Sequence, residues 1–426
     1  MLRQRRLFMK LSLVLGSLWI YVLLDHPKAA WDPTYRLMYG WLEYTDDDGG
    51  PVKVCNCSAI LDGEREAREQ AKLLTITKDF HKSVQIPDEY YINATQDCRN
   101  FKRSRKYLTF PLSQEEEDFP LAYSIVVHHK VQNFERLLRA IYAPQHFYCI
   151  HVDKKSDASV LSAITGIVSC FRNVFLVNRT ESVVYSAWPR VQADLNCIGD
   201  LYKISTKWKY FINLCGQDFP LKTNLEIVRM LRSLNGGNSL ESERMADAKR
   251  SRFSYVHNIT NGDIQFTGVL KEPPPFNIQI LSGNAYIVVN RGFIRSVLED
   301  KRVLALIEWS KDTYSPDEFL WATIQRLPGV PGSTWPNPKY DMTDMSAIAR
   351  MVKWVWHEGE EGSEQAVYPE CQGDHVRAIC VYGAGDLQWL IEQRHLFGNK
   401  FDAERDPIAV FCLEKYLRQK ALAELR

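Results

Sequence analysis

The apolar positions of the chain change period several times. Leu121 to Val127 is a nearly unbroken apolar run, the pattern of a buried strand. Phe134 to Tyr142 places its apolar residues at helical spacing, and Phe147 to Asp153 and Val174 to Val177 return to strand-like runs. A helical pattern around Val191 to Tyr202 leads to one more strand, Tyr210 to Cys215. Strands alternating with helices predict an α/β domain with a parallel sheet, opening at about Phe119. Ligands of such sheets bind beyond the carboxyl ends of the strands, which are occupied here by His151-Val152-Asp153 and Gly216-Gln217-Asp218. There is no GxGxxG and no Walker loop, so neither a dinucleotide fold nor a phosphate-loop enzyme is supported.

Ahead of that domain the pattern is different. Arg3, Arg5, Arg6 and Lys10 precede an apolar run from Leu11 to Leu24, which reaches spanning length with Leu7 to Met9 if Lys10 snorkels. Positive charge before the run puts residues 1–10 in the cytoplasm and the remainder in the lumen. A cleaved signal peptide is the alternative, but His26-Pro27-Lys28-Ala29-Ala30 is a poor cleavage site, so an uncleaved anchor over 11–24 is favoured. Residues 25–54 read as a flexible stem, 55–118 as an ordered stem tied to the main domain, and 119–426 as that domain. Asp46 to Asp48 match a D-x-D pattern, but their Gly-flanked place behind the anchor reads as a solvated loop.

Both readings of the N-terminus imply the secretory pathway. N-x-[ST] sequons at Asn56, Asn93, Asn178 and Asn258 agree with it, and the ten cysteines then read mainly as disulfides. No cysteine or histidine spacing suits zinc. A net charge of +1 without a basic run gives no support to a nucleic-acid partner. The 11 Trp and 20 Tyr suit a core, and they also suit carbohydrate, whose C–H faces stack on rings.

One stretch carries candidate chemistry. In Tyr314-Ser315-Pro316-Asp317-Glu318-Phe319-Leu320-Trp321 a capping serine and a first-position proline predict a helix start, with Leu320, Trp321 and Ile324 on one apolar face. Ser315 and Glu318 have capping-box spacing, so Glu318 either closes the helix or serves as a rigidly held general base. Local sequence leaves both open.

Four segments carry a resemblance. Tyr148-Cys149-Ile150-His151-Val152-Asp153-Lys154-Lys155-Ser156, Leu214-Cys215-Gly216-Gln217-Asp218-Phe219-Pro220-Leu221-Lys222, Ser315 to Arg326, and Cys380-Val381-Tyr382-Gly383-Ala384-Gly385-Asp386-Leu387 resemble the core 2 β-1,6-N-acetylglucosaminyltransferases, in order and over nearly all of the chain after the stem. The resemblance implies a GT-A-type fold in the Golgi membrane with a lumenal catalytic domain. It implies inverting transfer from UDP-GlcNAc to the GalNAc of Galβ1-3GalNAc on glycoproteins. The family's general base falls on Glu318, and its two diphosphate-binding cations, which replace a metal, fall on Arg377 and Lys400. Uridine contacts fall on Val126, Asp153 and Tyr185, and acceptor contacts on Glu241, Lys249, Arg252 and Trp354. Trp356 stands where some members place a tyrosine, which opens the way to broader core 4 or I-type branching.

The family's disulfides map to Cys57–Cys412, Cys98–Cys170, Cys149–Cys197 and Cys371–Cys380. Cys55 could then bridge two chains as a homodimer, or pair otherwise. Cys215 is left beside the donor site and is expected to be a free thiol whose modification blocks activity. A related transferase using another sugar or acceptor, such as a xylosyltransferase, remains the nearest alternative. A glycan-binding protein without transferase activity would have no need of Glu318, Arg377 and Lys400 together.

Overall fold

The computed structural model describes residues 55–334, 347–360 and 366–424. The predicted anchor over 11–24, the tail, the flexible stem and Asp46 to Asp48 lie outside the described residues. Among the described residues, no helix is long and apolar enough to cross a membrane.

A six-stranded sheet organises the chain. Strands β1 (Leu121–Val127), β2 (Phe147–Val152), β3 (Val174–Leu176) and β4 (Tyr210–Cys215) run parallel in the order β3-β2-β1-β4. The helices Val131–Ile141, Ala158–Ser169 and Trp188–Ile204 are the crossovers. The sheet is not wholly parallel as the alternation predicted. Ile287–Asn290 joins β4 antiparallel, and Ser239–Leu240 joins Ile287–Asn290 antiparallel. These segments are too short to stand out as strands in sequence.

All seven β1 residues are buried, because both faces of the sheet are covered. Tyr123, Ile125 and Val127 face a core shared with Ile150, Ile164 and Leu214, while Ala122 and Phe211 face one with Ile198, Leu201 and Trp321. This is the period-two alternation of a strand between two apolar layers. Tyr91, Phe101 and Tyr107, from the segment read as an ordered stem, lie inside the first core at zero exposure.

Disulfides bind these layers at Cys57–Cys412, Cys98–Cys170, Cys149–Cys197 and Cys371–Cys380, and Cys55 and Cys215 are free. The asparagines of all four sequons, Asn56, Asn93, Asn178 and Asn258, are exposed. Asn93 is exposed on the helix Asp88–Ala94, and Asn56 is exposed while its Oδ1 accepts from the Ala59 N–H at 3.2 Å.

Chain order β1, β2, β3 proceeds outward on one side of β1, and β4 then returns to its other side. The strand order therefore reverses between β1 and β4, where the ends of parallel strands splay into a crevice. Val126 sits at that edge, in register with His151 on one side and Cys215 on the other.

Candidate active site

The carboxyl ends of β1 and β2 place the first group of residues. Asp153 follows β2 directly and is buried, with Oδ1 accepting from the Lys155 N–H at 2.9 Å and Oδ2 from the Val183 N–H at 3.2 Å. It thereby anchors the loop that carries Tyr185 two residues later. His151 is buried, and its Nε2 accepts from the Glu181 N–H at 2.8 Å. Burial lowers its pKa, so it is a neutral prop of the same loop. Tyr185 itself is 66% exposed, with the Arg377 guanidinium 4.3 Å from its ring centroid, in cation–π contact.

Arg377 is held in a demanding backbone position. It and Ala378 form the connection between the antiparallel strands Asp374–Val376 and Ile379–Val381, inside the Cys371–Cys380 disulfide. Both residues have positive φ, 53° and 64°. A two-residue hairpin turn of this kind favours Asn and Gly, and each other residue costs about 1 kcal/mol or more. An arginine kept there points to a role for its side chain rather than its backbone.

Lys400 reaches the same region from a different direction. The strand Phe397–Asn399 pairs antiparallel with Asp218–Pro220, just past β4. Buried Asp218 fixes this junction: it accepts from the Cys215 N–H at 2.7 Å and from Asn399 Nδ2 at 2.8 Å, and lies 3.1 Å from Arg350 Nε. Burial lowers the Lys400 pKa, the nearby Cys215 and Asp218 raise it, and Arg377 lowers it. Arg377 and Lys400 are thus close enough to repel, which favours an anion between or beside them.

The Ser315 stretch does not form the predicted capped helix. Pro316–Glu318 is a single 3-10 turn, the chain kinks at Phe319, and the α-helix runs only from Leu320 to Ile324 with every residue buried. Ser315 lies in the left-handed region at φ 45° and makes no side-chain cap. Its N–H donates instead to the Ser186 carbonyl at 2.7 Å, a tertiary bond that overrides the local preference. The capping-box reading of Glu318 is therefore wrong, whereas Leu320, Trp321 and Ile324 do lie on the short helix and pack together in one core.

Glu318 has a different partner. Its Oε2 accepts from Arg252 Nη1, with both side chains partly exposed, while its backbone carbonyl accepts from the Gly283 N–H at 2.8 Å. A Cβ on Gly283 would collide with the Glu241 carbonyl and fall 2.8 Å from Ala322 Cβ, so glycine is needed there. Gly283 thus lies against both Glu241 and Glu318, and Arg252 pairs with Oε2 of Glu318. Lys249 is partly exposed in the 3-10 turn Asp247–Lys249, two residues before the helix Ser251–Ser254 that carries Arg252.

The aromatic pair is also assembled. The Trp354 and Trp356 rings stack at 5.5 Å and 15°, with Trp356 64% exposed. The Val355 N–H donates to the Ala378 carbonyl at 3.0 Å, which puts this pair against the Arg377 turn. The structure thus pairs Tyr185 with Arg377 and Trp354 with Trp356, joins the two pairs through the Val355–Ala378 backbone bond, and joins Glu318 to Tyr185 through Ser315 and Ser186. A separate cavity of about 630 Å³, lined by Arg65, Lys72, Glu370 and Trp389 among others, contains none of these residues. Among the described residues, the metal-capable group Glu358, Cys371 and Cys380 has both sulfurs committed to a disulfide, so its donors do not fit a metal.

Sequence reasoning missed the support beneath Glu318. Asp194 accepts from Ser124 Oγ at 2.9 Å, Arg190 Nη1 at 2.8 Å and Asn213 Nδ2 at 3.1 Å. Asp317 lies near this network, and its Oδ1 is buried without a hydrogen bond. Burial first, then the Glu318 charge, push its pKa up to about 6. The only local signal was a second carboxylate beside Glu318. Ionising Asp317 in the folded chain costs on the order of 3 kcal/mol relative to the unfolded chain. That cost is absent below the unfolded value and complete above about pH 6. Asp317→Asn is therefore expected to raise the melting temperature at pH 7.5, with the gain vanishing below about pH 4, the unfolded value. A gain independent of pH would reject this account.

Cys215 is a half-buried free thiol, and its surroundings disfavour the expected reactivity. Burial, then the Asp218 carboxylate, push its thiol up to about 12, and Asn399 Nδ2 lies 3.3 Å from its sulfur. A thiol raised in this way carries little thiolate at neutral pH, which lowers its reactivity. Cys215 is expected to stay unmodified by maleimides in the native protein at pH 7 and to react after denaturation. Stoichiometric native labelling detected by mass spectrometry would contradict this.

The Core-2/I-Branching enzyme family matches residues 121–391. The chain is 53% identical over 376 residues to a Homo sapiens protein named beta-1,3-galactosyl-O-glycosyl-glycoprotein beta-1,6-N-acetylglucosaminyltransferase, covering 88% of each chain. A Bos taurus protein of the same name is 52% identical over 388 residues, 91% of this chain and 90% of its own. A Bovine herpesvirus 4 protein of that name is 52% identical over 367 residues, 86% of this chain and 83% of its own.

Proposed function

The chain belongs to the core-2/I-branching enzyme family, and from that premise we propose that it is a β-1,6-N-acetylglucosaminyltransferase forming core 2 branches. Its donor is UDP-GlcNAc, and its acceptor is the 6-hydroxyl of GalNAc in Galβ1-3GalNAc on Ser or Thr of glycoproteins. The catalytic body is a GT-A-type domain in the Golgi lumen, held to the membrane by the run over 11–24.

The observation that carries the reading is the linkage of Glu318 to the Arg377–Tyr185 pair through the Ser315–Ser186 hydrogen bond. A sugar hydroxyl is a poor nucleophile at neutral pH, and Oε1 of Glu318 removes its proton as it attacks C1 of GlcNAc. The bond from C1 to the diphosphate breaks as the new C1–O bond forms on the opposite face, which inverts the anomeric centre. Arg377 and Lys400 stabilise the charge that grows on departing UDP, so no metal ion is required. Tyr185 and Asp153 hold the uridine end, with Val126 at the strand edge. Arg252, Lys249, Glu241 and Trp354 hold the acceptor.

The test is a screen of UDP-GlcNAc and UDP-xylose against core 1, core 3 and poly-lactosamine acceptors. Transfer of GlcNAc to core 1 with a β-1,6 product linkage is expected. Transfer of xylose, or none to core 1, would reject the reading. A broader enzyme that also forms core 4 or I-type branches is a second reading. It is favoured by Trp356, whose exposed ring can stack on a sugar but lacks a phenolic hydroxyl.

A further inference from the structure

The hairpin Tyr255–Thr260 and Asp263–Leu270 stands beside this site with an unusual exposed face. His257 and Ile259 are paired with Phe266 and Ile264 in regular register, so these four side chains share one side. Tyr255 joins them with its ring 5.0 Å from that of Phe266, and its own partner Leu270 lies beyond a register shift. Asn258 and Gln265 are paired on the other, polar side. The apolar side turns toward Tyr314, with His257 packed at 5.7 Å from its ring and at 5.6 Å from Phe266. Yet Ile259, Phe266 and Leu270 remain 46%, 60% and 73% exposed. A contiguous apolar face left in water marks a surface that another molecule covers.

Below it lies a cavity of about 410 Å³ lined by Arg252, His257, Ile264, Phe266 and Tyr314. Arg252 is its boundary with the active site, since the same guanidinium holds Glu318. Glu318 therefore has two neighbours. On one side, Ser315 leads to Tyr185 and the cations of the donor site. On the other, Arg252 opens onto the apolar hairpin.

We propose that this face is a subsite for the polypeptide that carries the acceptor sugar, taking uncharged apolar side chains next to the glycosylated Ser or Thr. The inference rests on the reading of Glu318 as base and Arg252 as an acceptor contact. A saccharide on a protein is tethered at its reducing end, so the protein has to leave the site by a route that the nucleotide does not fill. The Arg252 edge is that route. Ile264, Phe266 and Tyr314 give its lining an apolar part, while Arg252 within it and Lys249 nearby disfavour basic peptides. The Asn258 sequon is on the polar side, so a glycan there leaves the apolar side clear.

The test compares kcat/KM for a core 1 glycopeptide with apolar flanking residues against the same disaccharide as a methyl glycoside. The wild type is expected to prefer the glycopeptide through KM. Phe266→Ser and Ile264→Ser should each cut that preference by about 5–10-fold, the scale of a partly buried apolar side chain. Phe276→Ser, an exposed apolar change outside the hairpin, should leave it in place. An unchanged preference in both hairpin variants would overturn the proposal. So would a Phe266→Ser variant that sediments as a smaller species with its preference intact, since the face would then be covered by a second copy of the chain. Failure of the wild type to use either acceptor would remove the reading of Glu318 itself, and this subsite with it.

Discussion

Glu318→Gln is expected to lower kcat by about 10²–10⁴-fold while UDP binding and the melting temperature stay close to wild type. The substitution keeps the shape of the side chain and removes the proton acceptor. The neutral amide cannot keep the ion pair with Arg252, but that pair is partly exposed, and such pairs contribute about 1 kcal/mol or less. The backbone bond from the Gly283 N–H to the carbonyl at this position does not depend on the side chain. A fall in kcat with binding preserved therefore isolates the chemistry. Turnover within a few-fold of wild type would reduce Glu318 to a structural partner of Arg252.

The second large effect concerns the cations. Activity is expected to survive excess EDTA, whereas Arg377→Ala and Lys400→Ala should each lose UDP affinity and about 10²-fold or more in kcat, as when one stabilising donor is removed from a developing anion. The two variants should differ in their pH dependence. Burial holds the Lys400 pKa below that of an ordinary lysine, so donor binding by the wild type should weaken at alkaline pH as that ammonium loses its proton. A guanidinium keeps its proton at such pH, so Lys400→Arg should remove the alkaline loss. Complete inactivation by EDTA with recovery in manganese would refute the cation assignment.

The sheet was legible because β1, β2 and β4 are apolar runs suited to burial on both faces, a signal contained within each segment. The Ser315 turn was not legible. Its S-x-x-E spacing satisfies a local rule, but the Ser315 N–H is taken by Ser186, far earlier in a chain whose local signals say nothing of that contact. The setting of Cys215 is legible only in part: Asp218 lies three residues on, but the burial and the contact from Asn399, 184 residues distant in sequence, do not show in the local pattern. Asp317 and Arg190 were invisible as a pair, because what matters is burial against Asp194 rather than any spacing. Residue identities at Arg377 and Lys400 came from the resemblance, and the structure added the physical reason to single out Arg377, its costly turn.

The disulfides also impose an order on biosynthesis. Cys149 and Cys197 are 48 residues apart and Cys98 and Cys170 are 72 apart, so on the proposed secretory route both pairs can close before the C-terminal residues are made. Cys57 waits for Cys412, 355 residues later, with the unpaired Cys55 two positions away. Until the last helix is delivered, two neighbouring thiols compete for one partner. Of the four bonds, Cys57–Cys412 is thus the last that synthesis makes possible, and the choice between Cys55 and Cys57 is where thiol–disulfide exchange would act.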